Sequence, residues 1–163
     1  MHVNRQLNEK LDWICEGDTA DERVNRIKYL INNDGVFFEL IKMSTVPDMK
    51  LIGLPVGMPE TYKPETDIPD GIADSTARQE FRRIKNFLPQ GTMQNIPSAR
   101  RETQWIQMLE GMHWKEANVM VHIKDQTLLQ AYPSLREVLV AIGLPVAVVE
   151  ETKEIKKGKK PKS

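Results

Sequence analysis

The strongest pattern of apolar positions lies in residues 98–124. Two runs of apolar side chains recur there at the spacing of one helix face: Trp105, Met108, Leu109 and Met112 in the first run, and Ala117, Met120 and Val121 in the second. Gly111 separates the runs, at a point where a helix can end or bend. The pattern predicts two helices joined by a tight corner, and these would form the middle of a small core.

Three further helices are predicted in the N-terminal third of the chain. The first covers residues 3–16, where a short apolar stripe runs through a polar sequence. The second begins at Thr19 and Glu22, which have the spacing of a capping box, and turn-forming residues at 32–35 end it. The third covers residues 36–45 and is expected to pack its apolar face on the second.

A longer helix is predicted over residues 74–88. Its apolar stripe is the clearest in the chain and consists of Ala77, Phe81, Ile84 and Leu88. Either Asp74 or Ser75 can cap its start, and Pro89 stops it.

The last helix is predicted from a second capping box, formed by Ser134 and Glu137, and it ends at Gly143. A brief extended segment is predicted over residues 146–149. The chain as a whole therefore reads as an all-α irregular bundle of about seven helices.

Residues 46–71 differ from the rest of the chain, with five prolines, three glycines and no sustained period. They predict an extended connector with one helical turn near its start, long enough to pack along the surface or to serve as a binding arm.

We expect one helical domain over residues 1–150. The connector allows a separate N-terminal subdomain (residues 1–45) ahead of the main core (residues 72–145), and a lysine-rich tail (residues 151–163) is expected to be disordered.

Lysine plus arginine balance aspartate plus glutamate over the whole chain, 23 against 23, but not within it. Residues 151–163 hold six lysines and two glutamates, so this tail carries +4 and the preceding residues −4.

Cys15 is the single cysteine, which excludes an intramolecular disulfide and fits a reducing cytoplasm. No apolar run approaches the roughly 20 residues of a membrane span, so neither membrane insertion nor secretion is expected.

No catalytic, cofactor or metal site is predicted. The chain lacks the phosphate-binding, dinucleotide, zinc-protease and serine-hydrolase motifs. Glu110 and His113 resemble half of a di-iron motif, but no second half follows. Cys15 with His113 or His122 could form a nucleophile and base, yet its apolar neighbours favour a small packing residue instead.

The basic side chains indicate more about function than the catalytic motifs do. Arg78, Arg82 and Lys85 follow one another at helical spacing, and Arg100 and Arg101 begin the next helix. We predict that these five contact phosphate groups or an acidic partner. The competing interpretation is that they are solvated or pair with nearby carboxylates: Glu80, Glu102 and Glu110.

Four segments of the chain form a pattern of motifs: YKP at residues 62–64, then EFRRIKNFL, RRETQWIQMLEGMHWKEANVMVHIKDQTL and YPSL. Together they resemble an uncharacterised family of small proteins encoded by T-even-like tailed phages. The resemblance runs from about residue 34 to 143, and the spacing of its motifs carries it. It implies a phage origin and the host cytoplasm, and no catalytic residues, because that family has no established activity.

We therefore expect a non-catalytic phage accessory protein that acts by binding in the infected cell, within nucleic-acid replication or expression complexes. Its partner would be a phage or host complex, reached directly or through nucleic acid. The alternative is a protein-protein adaptor without nucleic-acid contact, which modulates a host enzyme or joins virion assembly through residues 46–71 and the methionine-rich helices. The sequence leaves the oligomeric state open.

Overall fold

The computed structural model describes residues 4–146, and these form eight α-helices without a β-strand. The predicted all-α bundle is confirmed. The helices are α1 (Leu7–Cys15), α2 (Ala20–Asn33), α3 (Gly35–Met43), α4 (Phe81–Lys85), α5 (Ser98–Gly111), α6 (Trp114–Asp125), α7 (Leu128–Ala131) and α8 (Leu135–Ala141). The tail and, after Val146, the extended segment predicted at residues 146–149 lie outside the described residues.

Helix α6 is the centre of the bundle. It contacts α1, α3, α5 and α7, while α2 contacts α1, α3 and α8. Because neighbours surround it, α6 buries Val119 and Ile123 in addition to its predicted stripe. A helix covered on several sides loses the one-sided pattern of a surface helix, so the sequence showed only part of this burial.

Polar side chains fix the starts of α2 and α3. The Thr19 hydroxyl accepts a hydrogen bond from the Glu22 N–H at 3.1 Å, as predicted, but the Glu22 carboxylate accepts from the Asp18 N–H at 3.1 Å. Asp34 caps α3 by accepting from the Phe37 N–H at 3.1 Å. Both caps supply acceptors for N–H groups that have no partner within the first helical turn.

The predicted capping box at α8 is wrong. Ser134 makes no side-chain bond to the start of this helix. Glu137 instead forms an ion pair with Arg23 of α2. The carboxylate thus joins two packed helices, which a local motif cannot reveal.

The helix predicted over residues 74–88 is much shorter in the structure, because α4 has only five residues. The preceding backbone bonds to distant groups. The Ser75 N–H donates to the Gly111 carbonyl at 2.8 Å, and the Ala77 N–H donates to the Glu116 carboxylate at 3.1 Å. These tertiary acceptors keep residues 75–77 out of the helix, and a turn covers residues 77–80.

The connector is irregular, and its single helical turn, the 3-10 turn Pro47–Met49, lies where it was predicted. A second 3-10 turn, Thr92–Asn95, precedes α5. No helix within residues 4–146 is both long and apolar enough to cross a bilayer.

Candidate functional site

Arg78, the first of the five predicted contact residues, is exposed, but its side chain pairs within the protein. Its guanidinium pairs with the buried carboxylate of Asp34, which also accepts from Lys10 Nζ at 2.6 Å. Burial alone would raise the pKa of Asp34, but the bonds from Lys10, the Phe37 N–H and Arg78 hold that pKa below its ordinary value. Arg78 thus ties its turn to the start of α3.

Arg101 is also used internally. Its Nε donates to the Gly53 carbonyl at 2.7 Å. A terminal nitrogen of the same guanidinium donates to the carbonyls of Met93 and Ile96, both at 3.1 Å. The side chain therefore fastens α5 to the connector and to the turn that precedes α5.

The other three predicted contact residues remain open to a partner. Arg82, Lys85 and Arg100 are exposed. Within residues 4–146, the side chains of Arg82 and Arg100 make neither a hydrogen bond nor an ion pair, and Lys85 Nζ lies 5.0 Å from the ring centre of Phe81. Whether these three residues contact phosphate stays a prediction.

Arg83 is the α4 residue that reaches α5. It pairs with Glu80 at 2.8 Å, and its other terminal nitrogen lies 3.5 Å from the Gln104 side-chain oxygen. Arg100 lies one turn before Gln104 on α5, which places it on the same edge of that helix. Arg83 and Arg100 therefore border one surface between α4 and α5. Two of the five predicted residues, Arg78 and Arg101, are used within the fold.

A buried lysine clamps the middle of the connector. Lys124 is 2% exposed, and its Nζ donates to the carbonyls of Pro55 at 2.5 Å and Gly57 at 3.3 Å. The same ammonium bonds the Asp125 carboxylate at 2.7 Å, and that carboxylate accepts from the Gly57 N–H at 2.9 Å. The end of α6 thus fixes the backbone of residues 55–57 by charge-assisted bonds.

Gln126 and His113, on either side of α6, hold the two ends of the connector. Gln126 Nε2 donates to the carbonyls of Met43 at 3.0 Å and Val46 at 2.9 Å. His113 Nε2 lies 2.9 Å from the Ile68 carbonyl. Together with Lys124, these side chains give the irregular connector a defined course over the bundle.

His113 therefore has a structural role. Its Nδ1 accepts the Lys115 N–H at 3.2 Å, which leaves the proton on Nε2 to bond Ile68. Among the described residues, no three carboxylate, thiol or imidazole groups cluster as metal ligands would. Cys15 is half-buried, and burial is the main cause that raises the pKa of its thiol.

Exposed apolar side chains concentrate in and just after the connector. Of the six large apolar residues that are exposed within residues 4–146, four lie there: Ile52, Val56, Met58 and Ile72. Val56 is 88% exposed and lies in the segment that Lys124 clamps. Because its backbone is fixed, this segment could bury its apolar side chains against another molecule without first becoming ordered.

A pocket of about 350 Å³ lies between residues 54–61 and three residues of α5: Glu102, Trp105 and Ile106. Trp105 is buried, with its ring edge-on to Phe87 at 5.5 Å, and its indole Nε1 has no acceptor among the described residues. Glu60 and Glu102 also line the pocket, and neither carboxylate makes a hydrogen bond or ion pair within residues 4–146.

Nothing in the sequence indicated directly that Lys124 and Asp125 would fix the connector. A lysine-aspartate pair at the end of a helix ordinarily indicates a solvated end, and no spacing rule distinguishes it from a buried pair. One feature of the sequence was an indirect indication. A long connector without helical hydrogen bonds must find other partners for its backbone N–H and C=O groups, and polar side chains of the neighbouring helices can supply them.

One family model matches the chain, over residues 18–130, and it describes a family of unknown function, DUF6433. No curated protein and no solved structure matches.

Proposed function

Because this chain belongs to the family of unknown function DUF6433, we propose a function from its own surface: it is a non-catalytic accessory protein that binds another protein through its connector. The contact surface comprises residues 52–58. The observation that carries the proposal is the clamp from Lys124 and Asp125, which holds exposed apolar side chains in place.

This pre-organisation matters because fixing a flexible backbone on binding opposes association by about 1–2 kcal/mol for each residue that becomes ordered. A backbone already fixed by Lys124 avoids much of that cost. Val56 and Met58 can then bury apolar area against a partner, at roughly 25 cal/mol for each Å² removed from water.

The test is a pull-down of tagged protein from cells infected with a T-even-like phage. Val56→Glu places a charge in the centre of the contact surface, and we expect it to abolish capture of a stoichiometric partner. Val140→Glu is the matched control, because Val140 is an exposed valine on α8, away from the connector. Capture should survive nuclease treatment.

The proposal fails if wild-type protein captures no stoichiometric partner, or if Val56→Glu and Val140→Glu retain it equally well. Circular dichroism and thermal unfolding of both variants must match the wild type, so that a lost contact is not confused with a lost fold.

A second candidate function is nucleic-acid binding through Arg82, Lys85 and Arg100. It is favoured by the exposure of all three side chains and by the lack of an ion-pair partner for the two arginines within residues 4–146. The acidic excess of the first 150 residues works against it, since that charge repels phosphate. The basic residues 151–163 would add nonspecific attraction.

Fluorescence anisotropy with labelled single- and double-stranded DNA and RNA tests this candidate at 20 to 200 mM salt. Charge reversal of Arg82 and Arg100 together should lower the salt slope by about 0.7–0.9 for each lost phosphate contact. Lys28→Glu, an exposed change on α2, is the control. Absence of binding by the wild type at 20 mM salt would refute the candidate.

We also propose that the chain comes from a T-even-like tailed phage and acts in the host cytoplasm, on the motif resemblance described above. Mass spectrometry of infected cells and of purified virions should then find the protein in the cell fraction. Detection mainly in virions would favour the assembly role instead.

A further inference from the structure

We propose that a second pocket, between α1, α6 and the end of α7, binds a guanine base of a free nucleotide or of a single-stranded nucleic acid. The pocket has a volume of about 340 Å³ and shares no residue with the contact surface at residues 52–58. The inference therefore goes beyond the proposed function and does not depend on it. It rests on a fixed amide donor, a neighbouring carboxylate and two aromatic side chains.

The amide donor is the side-chain nitrogen of Asn8, and hydrogen bonds fix its orientation. The Gly71 N–H can only donate, so the Gln6 side-chain atom that faces it must be the oxygen. The Gln6 nitrogen then donates to Asn8 Oδ1 at 2.9 Å, which fixes the second amide in the same way. Asn8 Nδ2 is thereby held as a donor whose direction is set from the backbone.

This nitrogen has no acceptor within residues 4–146, although Asn8 is only 5% exposed. In that part of the chain, the fully enclosed side-chain atoms without a partner belong to Arg23, Thr45 and Trp105, so Asn8 Nδ2 keeps access to solvent. Asn8 lines the pocket, and the little surface that it exposes includes this nitrogen. Because a buried amide N–H usually has a partner, the pocket has a position for an acceptor that the described chain does not fill.

Asp12 places acceptors beside this donor. It lies one turn after Asn8 on α1, so the two side chains project from the same face of that helix, and both line the pocket. The Tyr132 hydroxyl is hydrogen-bonded to the Asp12 carboxylate. That bond uses one of the roughly four acceptor positions of a carboxylate and leaves the others for a ligand.

Guanine has the complementary edge. Its O6 carbonyl can accept from Asn8 Nδ2, while its ring N1–H and its 2-amino group donate to the two oxygens of Asp12. Adenine and cytosine present a carboxylate with a single amino group, and uracil presents it with a single ring N–H. Among the common bases, guanine therefore makes the most hydrogen bonds with this pair of side chains.

Two aromatic side chains, Trp114 and Tyr132, give the pocket surfaces on which a flat ring can stack. Trp114 is half-buried and is itself stacked on His113, with ring centres 6.1 Å apart and planes inclined by 25°. The volume of about 340 Å³ lies at the lower end of the range for ligand pockets, which is roughly 300–1,000 Å³. It therefore suits one nucleoside rather than a larger ligand.

The probes are the 5′-monophosphates of guanosine, inosine, adenosine and xanthosine, titrated into the full-length protein by calorimetry. We expect saturable binding of the guanosine nucleotide and about tenfold weaker binding of the inosine nucleotide, which lacks the 2-amino group. The adenosine nucleotide should bind more weakly still. In ¹⁵N-labelled protein, the side-chain amide signals of Asn8 should shift with the same saturation curve.

Asp12→Asn is the most informative variant, because it replaces one carboxylate oxygen by an amide donor. It should weaken the guanosine nucleotide about tenfold and strengthen the xanthosine nucleotide, whose 2-carbonyl can accept from the new amide. Asp21→Asn is the matched control, since it removes an exposed carboxylate of α2 outside the pocket. Asn8→Asp keeps the oxygen that Gln6 uses and removes the donor, so it should also weaken the guanosine nucleotide. Circular dichroism and urea denaturation check that the variants are folded.

Short strands of uridines with one central guanosine or adenosine distinguish the two sources of the base. Binding of the guanosine strand about tenfold tighter than the free nucleotide, lost in Asp12→Asn, assigns the base to a nucleic acid. Equal affinities assign it to a free nucleotide. The proposal is overturned if neither guanosine ligand binds at millimolar concentration, if the guanosine and adenosine nucleotides bind equally, or if Asp12→Asn behaves like Asp21→Asn. The pull-down with Val56→Glu tests the connector alone and is unaffected by any of these results.

Discussion

Replacing Lys124 by methionine should release the connector from the bundle. Methionine keeps an unbranched side chain of similar length and removes the ammonium group. In the wild type that ammonium serves three oxygens, from Pro55, Gly57 and Asp125. The substitution leaves two carbonyls without this donor and a carboxylate, 13% exposed, without its cation.

The expected loss of stability is large. Removing one partner of a buried ion pair costs about 3–5 kcal/mol, because the remaining charge stays buried without compensation. Asp125 keeps its bond from the Gly57 N–H, so we expect the lower end, about 3 kcal/mol. The unfolding entropy of about 150 residues is roughly 0.3 kcal/mol per kelvin, so Tm should fall by about 10 °C.

Urea denaturation and thermal unfolding measure the global loss, and hydrogen exchange at the Gly57 N–H measures release of the connector. Lys42→Met is the matched control: Lys42 pairs with Glu39 at 2.5 Å, but both side chains are partly exposed, so we expect less than 1 kcal/mol. If Lys124→Met costs no more than Lys42→Met and Gly57 stays protected, Lys124 does not fix the connector.

Two further substitutions test other contacts of the fold. Asp34→Asn should cost about 3–5 kcal/mol at pH 7 in urea denaturation. The pKa of Asp34 is lower in the folded protein than in the unfolded chain, so its stabilising contribution is present above about pH 4 and is lost as the pH falls toward the folded pKa. If wild type and variant differ in unfolding free energy by the same amount at pH 3 and at pH 7, this expectation is wrong. Gly53→Ala should destabilise more than Gly57→Ala. Both glycines have φ near +80°, so both substitutions strain the backbone. A Cβ at Gly53 would also lie 2.6 Å from Arg101 Nε, whereas a Cβ at Gly57 would meet nothing within 4 Å. Equal urea midpoints of the two variants would refute the contact with Arg101.

The helices were predictable where local signals agreed. The apolar stripes of α5 and α6, the break at Gly111 and the hydroxyl cap of Thr19 all depend on residues within a few positions of one another. Spacing of this kind acts within single helical turns and is therefore visible in the sequence. The all-α class followed from the sum of these local signals.

Predictions failed where a residue bonded to a group far away in the sequence instead of to its near neighbours. The first turn of the helix expected at residue 74 gave way because Glu116 takes the Ala77 N–H, and the expected cap at Ser134 is absent. The same competition between near and distant bonding partners determined which of the predicted contact residues stay available. Arg78 and Arg101 have the spacing of surface arginines, yet each found an internal acceptor across the fold.

The sequence by itself determined the helical class, the position of most helices, the irregular connector between them, and where the charged residues lie along the chain. The tertiary structure alone decided which of those charges are buried or paired and which stay exposed. The physical reason is that burial and pairing depend on groups far apart in sequence: Lys124 meets Pro55 across 69 positions, and nothing local to either residue records that contact.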